Sequence, residues 1–264
     1  MHYFATLSLI AVTLFSAGCA RTPHPWSSGR WVDLTHPFSQ DTIYWPTSER
    51  FRLETVFSGK TEKGYFYTAN QFCAAEHGGT HLDAPIHFAA GGGAVDEIPL
   101  QRLIGPATVV DVSAKAGADR DYRINVSDLL AREKQHGTIP EGTIVLLRTG
   151  YDRHWPDAAS YLGTAERGAA AVAKLHFPGL DPQAARWLAQ TRRIKAVGLD
   201  TASIDYGQST LFQSHQILAA DGIPIFENVT GLDQLPATGS WVVALPMKIR
   251  GGSGAPLRLI AWVP

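Results

Sequence analysis

Cysteine is scarce: the 264 residues hold two, Cys19 and Cys73. That excludes a disulfide-stapled scaffold and a thiolate zinc cluster. Charge excess is also missing. A formal net charge of -1 presents no basic face, which argues against a nucleic-acid partner. No internal window is apolar enough for a membrane span. No repeat of fixed period runs through the chain. The Gly-rich stretches Gly91–Gly93 and Gly251–Pro256 lack phosphate-loop spacing, so no nucleotide role follows from them. What is present is a globular composition, 45% hydrophobic, at a length that suits one α/β or barrel domain or two small ones.

The first twenty residues carry no Lys, Arg, Asp or Glu. Their apolar core is short for a membrane span and is closed by small residues, as in an export signal. Ser16-Ala17-Gly18-Cys19 is similar to the bacterial lipobox, whose cysteine is lipidated. Ser16 stands where Leu is usual, and no Lys or Arg precedes the apolar run. The expected organisation is an export signal over residues 1–19, a polar tether over 20–30 and one domain over 31–264. The expected location is the cell envelope or periplasm, with membrane contact only through a lipid on Cys19. With Cys19 lipidated, Cys73 has no partner for a disulfide. It is expected to be a small buried apolar residue.

From Trp31 the signals are mixed. The β-branched runs at 107–112 and 143–149 read as buried strands, and "YFYTANQF" reads as an aromatic strand. "IKAVGLDT", "IPIFENV", "SWVVALPMKI" and "PLRLIAWV" are further strands. "NVSDLLAREKQHG" is a helix capped by Asn125 or Ser127 and stopped by Gly137. "DPQAARWLAQTR" is a second, with Asp181 at its cap and Pro182 at the first helical position. Strands with few helices indicate one compact α/β domain rather than a doubly wound sheet.

Four ligand-grade side chains crowd into "HGGTHLDAPIHF": His77, His81, Asp83 and His87, spaced by four, two and four. On a helix they would fall at about 0°, 40°, 240° and 280°, two opposed pairs. In an extended chain every separation is even and all four face one side. Gly78, Gly79 and Pro85 favour the extended form. Six extended residues span roughly 20 Å, whereas ligands sit about 2 Å from an ion. The backbone must therefore kink, at Gly78-Gly79 and at Ala84-Pro85. His77, His81 and Asp83 then make a two-histidine, one-carboxylate set suited to Zn²⁺, Mn²⁺ or Fe²⁺. Three protein ligands leave positions open for water and substrate.

These residues resemble the signature of the cyclase-type metal-dependent hydrolases, the family of bacterial kynurenine formamidase and isatin hydrolase. The similarity runs from Trp31 to the C-terminus, through "DLTHPFSQDTIYWP", "VGLDTASIDYG", "SHQILAADGIPIFENV" and "LPMKIRGGSGAPLRLIA". The resemblance implies a swivelling α/β domain (β/β/α) around a curved mixed sheet. It implies His77, His81 and Asp83 as ligands of a first metal, and His215 and Glu227 as completing a second. His87 becomes the general acid/base, and Trp45 an aromatic against the substrate. Where the family often continues Trp-Pro-Gly-Asp, this chain has Trp45-Pro46-Thr47-Ser48, so the pocket is expected to differ there. Glu227 also stands out by itself: a carboxylate in an apolar strand needs a metal or an Arg.

The expected chemistry is hydrolysis. A divalent ion, zinc or manganese, one or two per chain, lowers the pKa of bound water from 15.7 to about 7. His87 has the right intrinsic pKa to move the proton. The resemblance points to a small amide as substrate, an isatin-like cyclic amide or a related lactam or lactone. The stretch from Tyr151 to Leu188 resembles members nearer isatin hydrolase. N-formylkynurenine is the alternative, supported by Glu227 and opposed by export. A non-catalytic metal-binding lipoprotein is the reading of another class. A homodimer or higher homo-oligomer is expected from the resemblance.

Overall fold

The computed structural model describes residue 26 and residues 28–264. The expected export signal with Cys19, and most of the expected tether, lie outside those described residues. The strands are β1 (Arg30–Asp33), β2 (Arg52–Lys60), β3 (Phe66–Cys73), β4 (His81–Asp83), β5 (Ile104–Asp111) and β6 (Arg123–Ile124). They continue as β7 (Ile144–Arg148), β8 (Gly179–Leu180), β9 (Ala196–Leu199), β10 (Ile225–Glu227), β11 (Thr238–Pro246) and β12 (Gly254–Val263).

β7 explains the central sheet. Ile144 and Leu146 belong to one hydrophobic core, Val145 and Leu147 to another. With period two, a strand buried on both faces reads as an unbroken apolar run. β5, β7, β9 and β10 are parallel neighbours, and β11 and β12 extend the sheet antiparallel. β12 alternates instead: Ala255, Leu257, Leu259 and Ala261 are buried, while Arg258 between them is exposed. The second core lies beneath the helices, through Leu129 of helix Val126–His136, Ala185 of helix Pro182–Arg186 and Leu218 of helix Gln213–Ala220. Asn125 and Asp181 cap the first two as expected, accepting from Ser127 N and Gln183 N. Gly137, at φ 85°, ends the first.

The sheet closes on itself. β4 pairs antiparallel with β10 on one side and with the Gly254–Pro256 end of β12 on the other. β1 takes the Ile260–Val263 end of the same β12 edge. The result is a mixed α/β fold around a closed, barrel-like sheet. No helix among the described residues is long and apolar enough to cross a membrane.

β2 and β3 form a separate antiparallel hairpin that joins no other sheet. Its aromatic and aliphatic side chains stay exposed, Phe66 at 70% and Val56 at 61%. Cys73, at the end of β3, is exposed as well. The expectation that it is buried is corrected here. That rule presumes a strand with a covered face, and neither face of this hairpin packs on the domain.

Candidate metal centre and active site

Strand register assembles the site. In the β4–β10 pair Glu227 stands opposite His81, and Ile225 opposite Asp83. Residues opposite one another in an antiparallel pair share a face, and so do residues two apart. His81, Asp83 and Glu227 therefore project together, while Leu82 and Phe226 turn the other way into the closed core. Helix Gln213–Ala220 covers the polar face and brings His215.

The kinks fall where the motif requires them. Gly79 has φ +57°, a left-handed conformation suited to glycine. Gly78 lies flat against Tyr44, whose ring would stand 2.0 Å from any added Cβ. The turn returns His77 Nδ1 to 2.6 Å from Asp83 Oδ1. After Ala84 a short helical turn, Pro85–His87, carries His87 back over the site. Its ring stacks on His77 at 3.8 Å between centroids.

Six groups converge. His81 Nε2 is 3.2 Å from Asp83 Oδ1 and 3.5 Å from Glu227 Oε2. His215 Nε2 is 3.2 Å from Asp83 Oδ2 and 3.1 Å from Glu227 Oε1. Among the described residues, two sets of candidate ligands have donor atoms within 4.8 Å of one another, His81–Asp83–Glu227 and His77–Asp83–His87. They share Asp83. His87 thus lies near enough for a ligand role as well as for proton transfer.

The charges make the case for a cation. Asp83 and Glu227 are both buried. Burial, then the charge of Asp83, raises the Glu227 pKa above the usual carboxylate range. Burial opposes ionisation of Asp83 too, but His77, His215 and His81 outweigh it and hold its carboxyl well below that range. His81 and His215 are buried as well, yet the neighbouring carboxylates pull their pKa values up. The two carboxylates thus favour positive charge on the imidazoles around them. A divalent cation supplies the same positive charge and frees the nitrogens to bind it, so the donor set fits a metal.

The ring nitrogens turned away from this cluster are also held. His81 Nδ1 lies 2.9 Å from the Gly79 carbonyl, which accepts from Asn228 Nδ2 at 2.7 Å. His77 Nε2 meets Ser253 Oγ at 2.9 Å, and that hydroxyl donates to Glu76 at 2.7 Å. His215 Nδ1 meets Asp205 Oδ2 at 2.7 Å. Glu227 Oε1 accepts from Ile204 N at 2.7 Å. Sequence reading missed Asn228, Ser253, Glu76 and Asp205. The available signal was adjacency: Glu76 precedes His77, Asn228 follows Glu227, and Asp205 and Ser253 lie in blocks carrying the family resemblance.

Above the polar floor is a cavity of about 240 Å³, walled by Ile43, Tyr44, Trp45, Phe88 and Phe212. Trp45 stands edge-on to Phe177 and Phe212, at 6.4 and 6.2 Å. Phe88 stacks on His215 at 4.3 Å. The Trp45 loop is held by Arg167 Nη1, which donates to the Trp45 carbonyl at 3.0 Å, and by Gly168 N to the Pro46 carbonyl at 2.9 Å. All the residues expected at the site, Trp45 included, meet at this cavity or on its floor.

The sequence model of the family described as putative cyclase matches residues 32–206. An isatin hydrolase of Roseibium aggregatum is 35% identical over 209 residues, covering 76% of this chain and 77% of that protein. A kynurenine formamidase of Salinibacter ruber is 30% identical over 233 residues, covering 87% and 95%. Among solved structures, isatin hydrolase A from Labrenzia aggregata bound to benzyl benzoate superposes with a TM-score of 0.79 at 35% identity. That superposition covers 89% of this chain and 93% of that one. An isatin hydrolase bound to the product analogue thioisatinate superposes with a TM-score of 0.80 at 31% identity, covering 89% and 92%.

Proposed function

The chain belongs to the putative cyclase family, and from that premise we propose that it is a metal-dependent hydrolase of a small amide C–N bond. One observation carries the reading: two buried carboxylates, shared among histidines, form the floor of an aromatic-walled cavity of about 240 Å³. His77, His81 and Asp83 would hold one divalent ion, and Asp83, His215 and Glu227 would hold a second, with zinc or manganese suited to such N/O donors. Such an ion would lower the pKa of water and stabilise negative charge on an attacked carbonyl oxygen.

The chain's own groups do the rest. Desolvation lowers the His87 pKa to about 4 against the opposing charge of Asp83, and the neighbouring histidines add to the lowering. The imidazole is then neutral at pH 7 and ready to accept a proton. His87 takes the proton of the attacking water and delivers it to the amide nitrogen as the C–N bond breaks. The products are a carboxylate and an amine. Trp45, Phe88 and Phe212 hold a flat ring and exclude water.

The cavity walls and the isatin hydrolase relatives support an isatin-like cyclic amide, or a related lactam or lactone, as substrate. N-formylkynurenine is the second reading, supported by Glu227 as the acid completing a second metal site and by the kynurenine formamidase relative. A carrier role without catalysis fits less well, since His87 and an aromatic cavity would then serve no purpose. The exposed apolar β2–β3 hairpin supports pairing of chains into a homodimer or higher oligomer, because an isolated two-stranded hairpin is marginal in water. Export to the envelope with lipidation of Cys19, and a domain of the swivelling β/β/α class, complete the proposal. The test is a panel of isatin, N-formylkynurenine and simple lactones with zinc- or manganese-loaded protein, with metal content measured on the same sample. Turnover of isatin above the others supports the reading. Metal bound without turnover of any of them would support the carrier.

A further inference from the structure

Asp205 is 2% exposed and lies ten residues before His215 in sequence. Three N–H donors converge on its two oxygens. Oδ1 accepts from Ser214 N at 3.0 Å. Oδ2 accepts from His215 N at 3.1 Å and from the His215 ring at Nδ1, 2.7 Å away. The helix these residues open has no side-chain cap of its own: Phe212 at its N-terminus is left-handed, φ 49° and ψ 45°, and its side chain accepts nothing. Asp205 supplies the acceptors from outside the helix. Phe212, a wall of the cavity, stands in a conformation a bulky residue rarely adopts, and its N–H donates to Ser209 Oγ at 3.2 Å.

We propose that Asp205 is a positioning residue for the metal centre: its carboxylate keeps the Nδ1 proton on His215, aims Nε2 at Asp83 and Glu227, and thereby sets the affinity of the ion site those residues share. The assignment rests on the metal-dependent reading above and deepens it. The chemistry requires a carboxylate. Both oxygens face N–H donors, so an amide would set its own NH₂ against one of them. A histidine whose Nδ1–H is engaged presents the Nε2 lone pair to a cation, and loss of such a partner typically costs metal affinity roughly 10–100-fold.

The experiment is zinc binding by competition with a chelator, on wild type, Asp205→Asn, His215→Ala and the double variant, with thermal unfolding of each metal-free protein. Asp205→Asn is expected to weaken one zinc site roughly 10–100-fold and to add nothing to the loss in the His215→Ala background. Wild-type affinity in Asp205→Asn overturns the proposal. So does an equal further loss in the His215→Ala background, which would mark a role in the fold alone. If Asp205→Asn fails to fold, the tautomer of His215 in zinc-loaded wild type decides, read by long-range ¹H–¹⁵N correlation: Nδ1–H supports the proposal and Nε2–H overturns it. A wild type that binds no zinc would overturn the metal-centre reading, and this assignment with it.

Discussion

His87 and His36 are the same residue type in two settings, and each has a pKa lowered to about 4 chiefly by desolvation. His87 faces the cavity, so its neutrality serves chemistry. His87→Ala should cut turnover by about 10²–10⁴-fold while metal content stays unchanged; loss of metal instead would reassign it as a ligand. His36 is buried and stacked on Trp155 at 4.2 Å, so its neutrality concerns stability. Its folded pKa lies below the unfolded value of 6.5. That contribution is complete above pH 6.5 and is lost as pH falls toward 4, by up to about 3 kcal/mol. Denaturant titrations across that window should show the loss, and His36→Phe should flatten it. The dense motif was legible because four ligand-grade side chains sit within eleven residues on a backbone with its own hinges. His215 and Trp45 were legible only through family resemblance. Asp205 lay in a block of the resemblance but was not singled out, because only the fold brings the His215 ring of helix Gln213–Ala220 to it.

Two elements lie outside the closed sheet. The Trp45 loop is tied through backbone carbonyls to Arg167, which also donates to the Ser48 carbonyl. Hydrogen bonds from charged donors are worth about 1.5 kcal/mol or more. Arg167→Ala should therefore raise KM about tenfold with kcat little changed, checked by steady-state kinetics. The β2–β3 hairpin is the other element. Sequence reading found β3 through its aromatics but missed β2, because "RLETVFSGK" shows neither clean alternation nor an apolar run. With both faces exposed, no core pattern was imposed on it. Replacing Phe66 and Tyr67 with Glu should turn an oligomer into a monomer in sedimentation equilibrium. An oligomer that survives the change would place the interface elsewhere.

For the whole molecule, the buried parallel strands announced an α/β domain, since a strand covered on both faces writes its burial into sequence. Closure of the sheet was not legible. It depends on β4, three residues long, pairing on both edges, and so short a strand leaves no pattern beyond the candidate ligands it carries. The same strand joins the site to global stability: an ion that binds only the folded chain stabilises it by mass action, about 2.7 kcal/mol at a hundredfold excess over Kd. Chelation should lower Tm by several degrees and added zinc or manganese restore it, read by calorimetry. The most direct test of the central claim is isatin hydrolysis by chelator-stripped protein as metal is added back in known equivalents. The account predicts no hydrolysis without metal and a rise that saturates at one or two equivalents per chain. Full activity in the stripped protein, or saturated metal binding with no hydrolysis of any small amide, would contradict it.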